Sequence, residues 1–412
     1  MRKILTCAVS ALALASCSSD SLVSDSPANT QAPIAFNAGQ KNITRALDSD
    51  QLELNGYTSF GVWAYKYKAG DKAPALVMGN YQVGCAGHGF TKDGVADGKW
   101  FYEGLGSSNN QVLHYWDPIY NNTKFFAYAP YKTDAGVVCD ADAKTLTIPA
   151  SLNKDGVEND IIYAGNVKLN KKHEEVPLKF KHLGAKVILK FYEDIPGYTV
   201  KLIDVKEPKD ATDKTGKGIQ LTPATFDDTK DPKYSPADYY TAYDAVIDFS
   251  NLSEITISDI DDNAESTTKT KNNLIFELPD GSKVVPEVAK KPEDQNYLVP
   301  ATYYAVAQPS TSKTGFTLHV SYELTAADNS ETITIRDARV YIPAKDDQDK
   351  NIAVWQANTQ YTYTFKITTN TNGSTSSDPD ITNPSIPDKT GLHPIVFEDV
   401  TIVDYETNDT EY

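Results

Sequence analysis

Strict alternation of apolar and polar side chains is the feature that most constrains this chain, because a repeat of two belongs to a half-buried strand and not to a helix. Phe316, Leu318, Val320, Tyr322 and Leu324 fall on one face, with Thr317, His319, Ser321 and Glu323 on the other. Tyr361, Tyr363, Phe365 and Ile367 alternate in the same way with Thr362, Thr364, Lys366 and Thr368. Lys186 to Tyr192 and Lys124 to Tyr128 add shorter apolar runs, and long helical periodicity is scarce. With 25 Tyr and many Thr and Val, the chain is expected to be all-β, and 412 residues suffice for two antiparallel β-sandwiches. Their expected extents are 34–182 and 183–370, with the seam near Phe180 to Gly184.

The first residues have a different purpose. Arg2 and Lys3 precede an apolar run, Ile4 to Ala15, that is well short of the roughly 18 residues needed to span a bilayer. The run ends Leu14-Ala15-Ser16-Cys17, the pattern of a bacterial lipobox, so 1–16 read as a lipoprotein signal and Cys17 as the lipidated mature N-terminus. Removal of Arg2 and Lys3 takes the formal charge from -17 to -19, and such an acidic chain repels nucleic acid and anionic headgroups. Residues 17–33, rich in Ser, Asp, Asn and Pro, read as a tether. Residues 371–392 have the same chemistry and lead to a final apolar segment, Ile395 to Tyr405. Cys85 and Cys139 could form a disulfide or remain two separate buried thiols; nothing in their spacing decides.

Signatures of catalysis are missing. The six His residues are far apart, no nucleophile elbow or phosphate-binding Gly-rich loop occurs, and the Lys-Thr-Gly tripeptides at Lys214, Lys313 and Lys389 lack their partner motif. Asp259, Asp261 and Asn263 open like a calcium loop, but Ala264 and Thr270 stand where Gly and Glu are required. The expectation is no enzyme, no cofactor and no metal. Trp63, Trp100, Phe101, Tyr102, Tyr115 and Trp116 could stack sugar rings, although aromatics in strands are more often core. That set makes a glycan-binding surface lipoprotein the alternative function.

The two ends carry the functional reading. Ile34, Phe36 and Ala38 alternate, and Thr44-Arg45-Ala46 follows; the chain has only four Arg, at 2, 45, 336 and 339. Together with the lipobox, Phe60-Gly-Val-Trp-Ala-Tyr65, Tyr115-Trp-Asp-Pro118, Phe125-Phe-Ala-Tyr-Ala-Pro130, Asp160-Ile-Ile-Tyr-Ala164, Tyr297-Leu-Val-Pro300 and Trp355-x-Ala-Asn, this order of motifs resembles the fimbrillin family of type V pilus subunits. The resemblance implies two transthyretin-like sandwiches and export to the outer membrane as a lipoprotein. It further implies that an arginine-specific protease cuts between Arg45 and Ala46, removing a strand that contains Ile34, Phe36 and Ala38. A vacated strand position leaves unpaired backbone groups and an apolar groove, which another strand can fill. Residues 371–412 would supply the donor through Ile395, Phe397, Val400 and Ile402, head to tail and without closure. Other pilus subunits, the protease, membrane lipid through Cys17 and a host or bacterial surface receptor are the implied partners. Anchor and tip-adhesin roles within the family remain alternatives to a shaft subunit.

One feature of the tail complicates its role. Ile395 and Phe397 share a face, whereas Val400 and Ile402 have the opposite parity. Either a bulge lies at Glu398-Asp399 or two short strands are separated by a break. Folding back onto its own domain is the alternative use of this segment.

Overall fold

The computed structural model describes residues 32–37, 47–48, 56–68, 73–106, 110–120, 122–133, 136–142, 144–151, 153–154, 159–169, 175–205, 216–226, 234–236, 239–250, 256–257, 270–272, 274–308, 314–346, 348–369 and 395–404. Among them the only helical element is the short turn Pro292–Asp294; everything else is strand or loop. No described helix is long and apolar enough to cross a membrane.

The first region is built on a seven-stranded antiparallel sheet. Its order is Leu47–Asp48, Lys179–His182, Ile162–Leu169, Asn122–Ala129, Ser59–Tyr67, Ala75–Cys85 and Trp100–Phe101. The central strands are apolar on both faces. Phe125 and Ala127 face one core with Phe60, Val62 and Ala64, while Phe126 and Tyr128 face another with Trp63 and Tyr163. That double burial explains why Phe125-Phe-Ala-Tyr128 reads as a continuous run and not as an alternation.

The second region is a sandwich. One sheet runs Ile395–Asp404, Thr359–Thr368, Ala185–Asp194, Tyr303–Ala305 and Asn153–Lys154. The other runs Tyr198–Ile203, Thr314–Ala326, Ile219–Phe226 and Tyr234–Pro236, with Leu274–Phe276 and Thr332–Ile342 paired alongside. Between them lies one core, in which Phe316, Leu318, Val320, Tyr322, Tyr363 and Phe365 are fully buried. The alternating faces read from the sequence are the faces of this core. Among the described strand pairs, two are parallel and the rest antiparallel: Ala185–Asp194 lies parallel to Thr359–Thr368, and Phe36–Asn37 lies parallel to Val176–Pro177.

The strands Lys179–His182 and Ala185–Asp194 stand on either side of the expected seam, but the regions are not separate there. Thr145–Ser151 pairs with Tyr239–Asp248, and Asn153–Lys154 pairs with Tyr303–Ala305. The outer face of the seven-stranded sheet is apolar at Trp63, Phe126 and Tyr128, and a second layer must cover it. Leu146, Ile148, Ala245 and Ile247 supply that layer from both sides of the seam. Periodicity identifies such strands as half-buried without naming their partner.

Cys85 and Cys139 are not joined in a disulfide. Cys85 belongs to the core on one face of the seven-stranded sheet and Cys139 packs against the core on the other, so the sheet itself keeps them apart. Burial pushes the Cys139 thiol up to about 12, which leaves it a weak nucleophile at neutral pH.

Candidate functional site

The N-terminal strand is an inserted element. Ala32, Ile34 and Phe36 are all buried in the core with Phe60, Phe125 and Phe180. Alternation produces this: Pro33 is exposed and Ala35 is half-buried. The ring of Phe36 stands edge-on to Phe60 and Phe125, each 5.7 Å away, and to Tyr102 at 6.0 Å.

Backbone bonds fasten the strand on both sides. Ile34 N–H donates to His114 C=O at 2.8 Å, Trp116 N–H donates to Ala32 C=O at 2.9 Å, and Val176 N–H donates to Ala35 C=O at 2.8 Å. The Tyr102 hydroxyl donates to Ile34 C=O at 2.9 Å. Burial holds that phenol well above its ordinary pKa, so it stays a donor at neutral pH. Loss of the strand would leave Trp116 N–H and Val176 N–H without these partners, while the Tyr102 hydroxyl keeps its bonds to His114, donating to the C=O at 3.4 Å and accepting from the N–H at 3.1 Å. Together with Phe60, Phe125 and Trp116 they define a slot whose walls come from four separate stretches of chain, a convergence that no local motif announces.

His114 makes the slot sensitive to acid. Its ring Nε2 is 3.0 Å from the Tyr81 hydroxyl, and burial, followed by the charge of Lys66, holds its pKa below the ordinary value. A histidine depressed in the fold takes up its proton more readily when unfolded. Stability is therefore complete above the unfolded pKa of about 6.5 and declines as pH falls from there toward the lower folded value. Melting curves should show the first region losing stability between pH 7.5 and pH 5.5, with His114→Gln flattening that dependence. An unchanged slope in the variant would remove His114 as the cause.

At the other end, Ile395–Asp404 is one continuous strand at the edge of the second region, antiparallel to Thr359–Thr368. The register shifts between Thr364 and Phe365: Asp399 faces Thr364 and Phe397 faces Phe365, leaving Glu398 as the extra residue. The single bulged strand, and not a pair of short ones, is therefore the form adopted. The bulge turns both halves inward, so Ile395 is buried and Phe397, Val400 and Ile402 pack against the same core. Glu398 is directed outward instead and accepts a 2.5 Å hydrogen bond from the Tyr192 hydroxyl. The tail thus lies folded on its own domain.

Arg336 and Arg339 both lie in Thr332–Ile342, laddered to Thr314–Ala326, and Arg339 is ion-paired with Asp337 at 2.8 Å. Cys17, Ala38, Arg45, Ala46, the Asp259 to Asn263 loop and residues 371–394 lie outside the described residues. Among the described residues no three His, Cys, Asp or Glu side chains are grouped to hold a metal. The aromatic set proposed for sugar stacking is core instead: Trp63, Trp100, Phe101, Tyr102 and Trp116 are all at most 8% exposed, and Tyr115 alone is open at 48%. Trp63, Trp100, Tyr102 and Trp116 each lie against a neighbouring aromatic ring.

The family model described as fimbrillin-like matches residues 44–383, so it covers most of the chain and stops short of both terminal strands. A search among curated proteins finds no match. Among solved structures, a candidate cell adhesion protein from Bacteroides uniformis is 14% identical with a TM-score of 0.41, over 92% of this chain and 100% of that one. Another from Bacteroides eggerthii is 12% identical with a TM-score of 0.42, over 93% of this chain and 98% of that one. On the extent of the family match, this chain belongs to the fimbrillin-like family.

Proposed function

We propose that this protein is a structural subunit of a cell-surface pilus, exported as a lipoprotein through Cys17 and polymerised by strand exchange after cleavage between Arg45 and Ala46. It performs no catalysis. Its partners are other pilus subunits, an arginine-specific protease and, before processing, outer-membrane lipid; a host or bacterial surface receptor is the remaining one. The observation that carries this reading is the N-terminal strand itself: buried side chains at Ala32, Ile34 and Phe36, with backbone bonds to two flanking segments, placed upstream of Arg45. A strand with that many partners leaves a specific vacancy when removed, and a vacancy of unpaired backbone recruits another strand.

The scarcity of arginine makes the cut selective. Of the four, Arg2 lies in the signal; Arg339 stands opposite His319 in the ladder and Arg336 lies at the bulge of the same strand, which has to open before a protease can seat the chain across either. Arg45 is the one that remains. The test is the N-terminus and intact mass of protein sheared from the surface of its native cells. A chain starting at Ala46 without lipid is expected; a diacylated Cys17 on the sheared protein would overturn the processing step and leave a tethered lipoprotein.

A further inference from the structure

On the outer face of the second region, three strands bring together a hydroxyl, an imidazole and a carboxylate. Leu221 and Leu318 are buried in the core, so Thr222 and His319, one residue further along their strands, lie on the opposite face. They are diagonal neighbours across the ladder of Ile219–Phe226 with Thr314–Ala326, and Thr222 Oγ1 lies 2.8 Å from His319 Nε2. The Thr317 carbonyl, at 3.5 Å, is a more distant acceptor for that hydroxyl. On its other side His319 Nδ1 lies 2.6 Å from Asp337 Oδ1, and Arg339 Nη2 donates to Asp337 Oδ2 at 2.8 Å.

A bulge aims the carboxylate. The register shifts between Val320 and Tyr322, so Arg336 and Asp337 together oppose Ser321. Asp337 has a left-handed backbone, φ 56°, which favours glycine, and its N–H donates to the buried Ser321 hydroxyl at 2.9 Å. Burial opposes ionisation of Asp337, but the hydrogen bond from His319 and the charge of Arg339 hold its carboxyl below the ordinary value. The carboxylate only accepts, so Nδ1 carries the His319 proton and Nε2 is left to accept from Thr222. That is the tautomer a general base needs. His319, Asp337 and Arg339 are 12%, 24% and 19% exposed, so solvent reaches the cluster.

We propose that Thr222 is an acyl-acceptor site, its hydroxyl activated by His319 toward an activated ester or thioester. The Thr222 oxygen bonds to the acyl carbon while His319 Nε2 takes the hydroxyl proton. The bond from that carbon to the leaving oxygen or sulfur then breaks, and the leaving group takes the proton from His319. Asp337 and Arg339 are positioning residues. The backbone N–H groups of Thr314–Ala326 are spent in ladders on both sides, so this strand offers no oxyanion hole. A good leaving group compensates for that in the first step, whereas the threonine ester has none, so the acyl group stays and there is no turnover. The sheet is one that neither terminal strand joins, and the site is independent of strand exchange.

The test is to incubate full-length protein with 4-nitrophenyl acetate and follow its acetylated peptides in time by mass spectrometry, with the exposed Thr401 as internal reference. Acetyl is expected on Thr222 about 100-fold faster than on Thr401, and alkaline hydroxylamine should release it as an ester. Asp337→Asn should remove that advantage without lowering the melting temperature. Asn also tolerates the left-handed backbone, but Arg339 needs its oxygen, which turns the amide N–H toward His319 and moves the imidazole proton to Nε2. Thr222→Ser should keep the label. Equal rates at Thr222 and Thr401, or an Asp337→Asn rate equal to that of the native chain, would overturn the site. Nitrophenolate released beyond one equivalent per chain, and lost in Thr222→Val, would overturn retention of the acyl group.

Discussion

Purified precursor cut at Arg45 is expected to pass from monomer to open-ended polymer, and the same protein lacking residues 371–412 is expected to stay monomeric after the same cut. Loss of the N-terminal strand uncovers the faces that bury Ile34 and Phe36, worth about 3 to 6 kcal/mol for two such side chains. It also takes the partners of Trp116 N–H and Val176 N–H, at about 1 to 3 kcal/mol for each group that water cannot reach, and leaves His114 C=O and the Tyr102 hydroxyl only their bond to each other. Those terms together oppose an empty slot strongly enough that the excised strand should leave slowly until a competitor is present. The donor must in turn abandon its own edge position beside Thr359–Thr368, so the exchange is near balance in side-chain burial and is driven by irreversible loss of the short first strand. Size-exclusion chromatography with light scattering measures the outcome. Arg45→Ala should block polymerisation entirely; polymer formed equally well by that variant, or by the cut protein without its tail, would sink the mechanism.

Replacement of Phe36 should be the most damaging single change in the first region. Phe36→Ala removes a ring that touches Phe60, Tyr102 and Phe125, and large-to-small changes at such sites cost about 3 to 5 kcal/mol. Its neighbour Ala35 is half-buried with its side chain on the other face, so Ala35→Ser should fall within about 0.5 kcal/mol. Urea unfolding followed by tryptophan fluorescence reads both, since Trp100 and Trp116 lie in the same core as Phe36. A loss below about 1 kcal/mol for Phe36→Ala would mean that the ring is not the anchor of the strand. A large loss combined with polymerisation of uncut protein would add that docking of this strand is what keeps the precursor monomeric.

The alternation from Phe316 to Leu324 and from Tyr361 to Ile367 determined the all-β class and the inward face of each strand, because a period of two leaves a sheet only one way to bury its apolar side. The same parity rule, applied to Ile395, Phe397, Val400 and Ile402, required an irregularity near Glu398, and the bulge lies there. What strand periodicity does not contain is the identity of the neighbour. The pairing of Thr145–Ser151 with Tyr239–Asp248 across the seam, the parallel alignment of Ala185–Asp194 with Thr359–Thr368, and the opposite cores of Cys85 and Cys139 were decided by tertiary structure alone. So was the burial of the tryptophans that resembled a sugar platform. The slot shows the division most plainly. Ile34 and Phe36 declare a buried face in the sequence, but the groups that receive them, at Tyr102, His114, Trp116 and Val176, are brought together only when distant segments close around one core, since backbone hydrogen bonds join any residues that the fold places side by side.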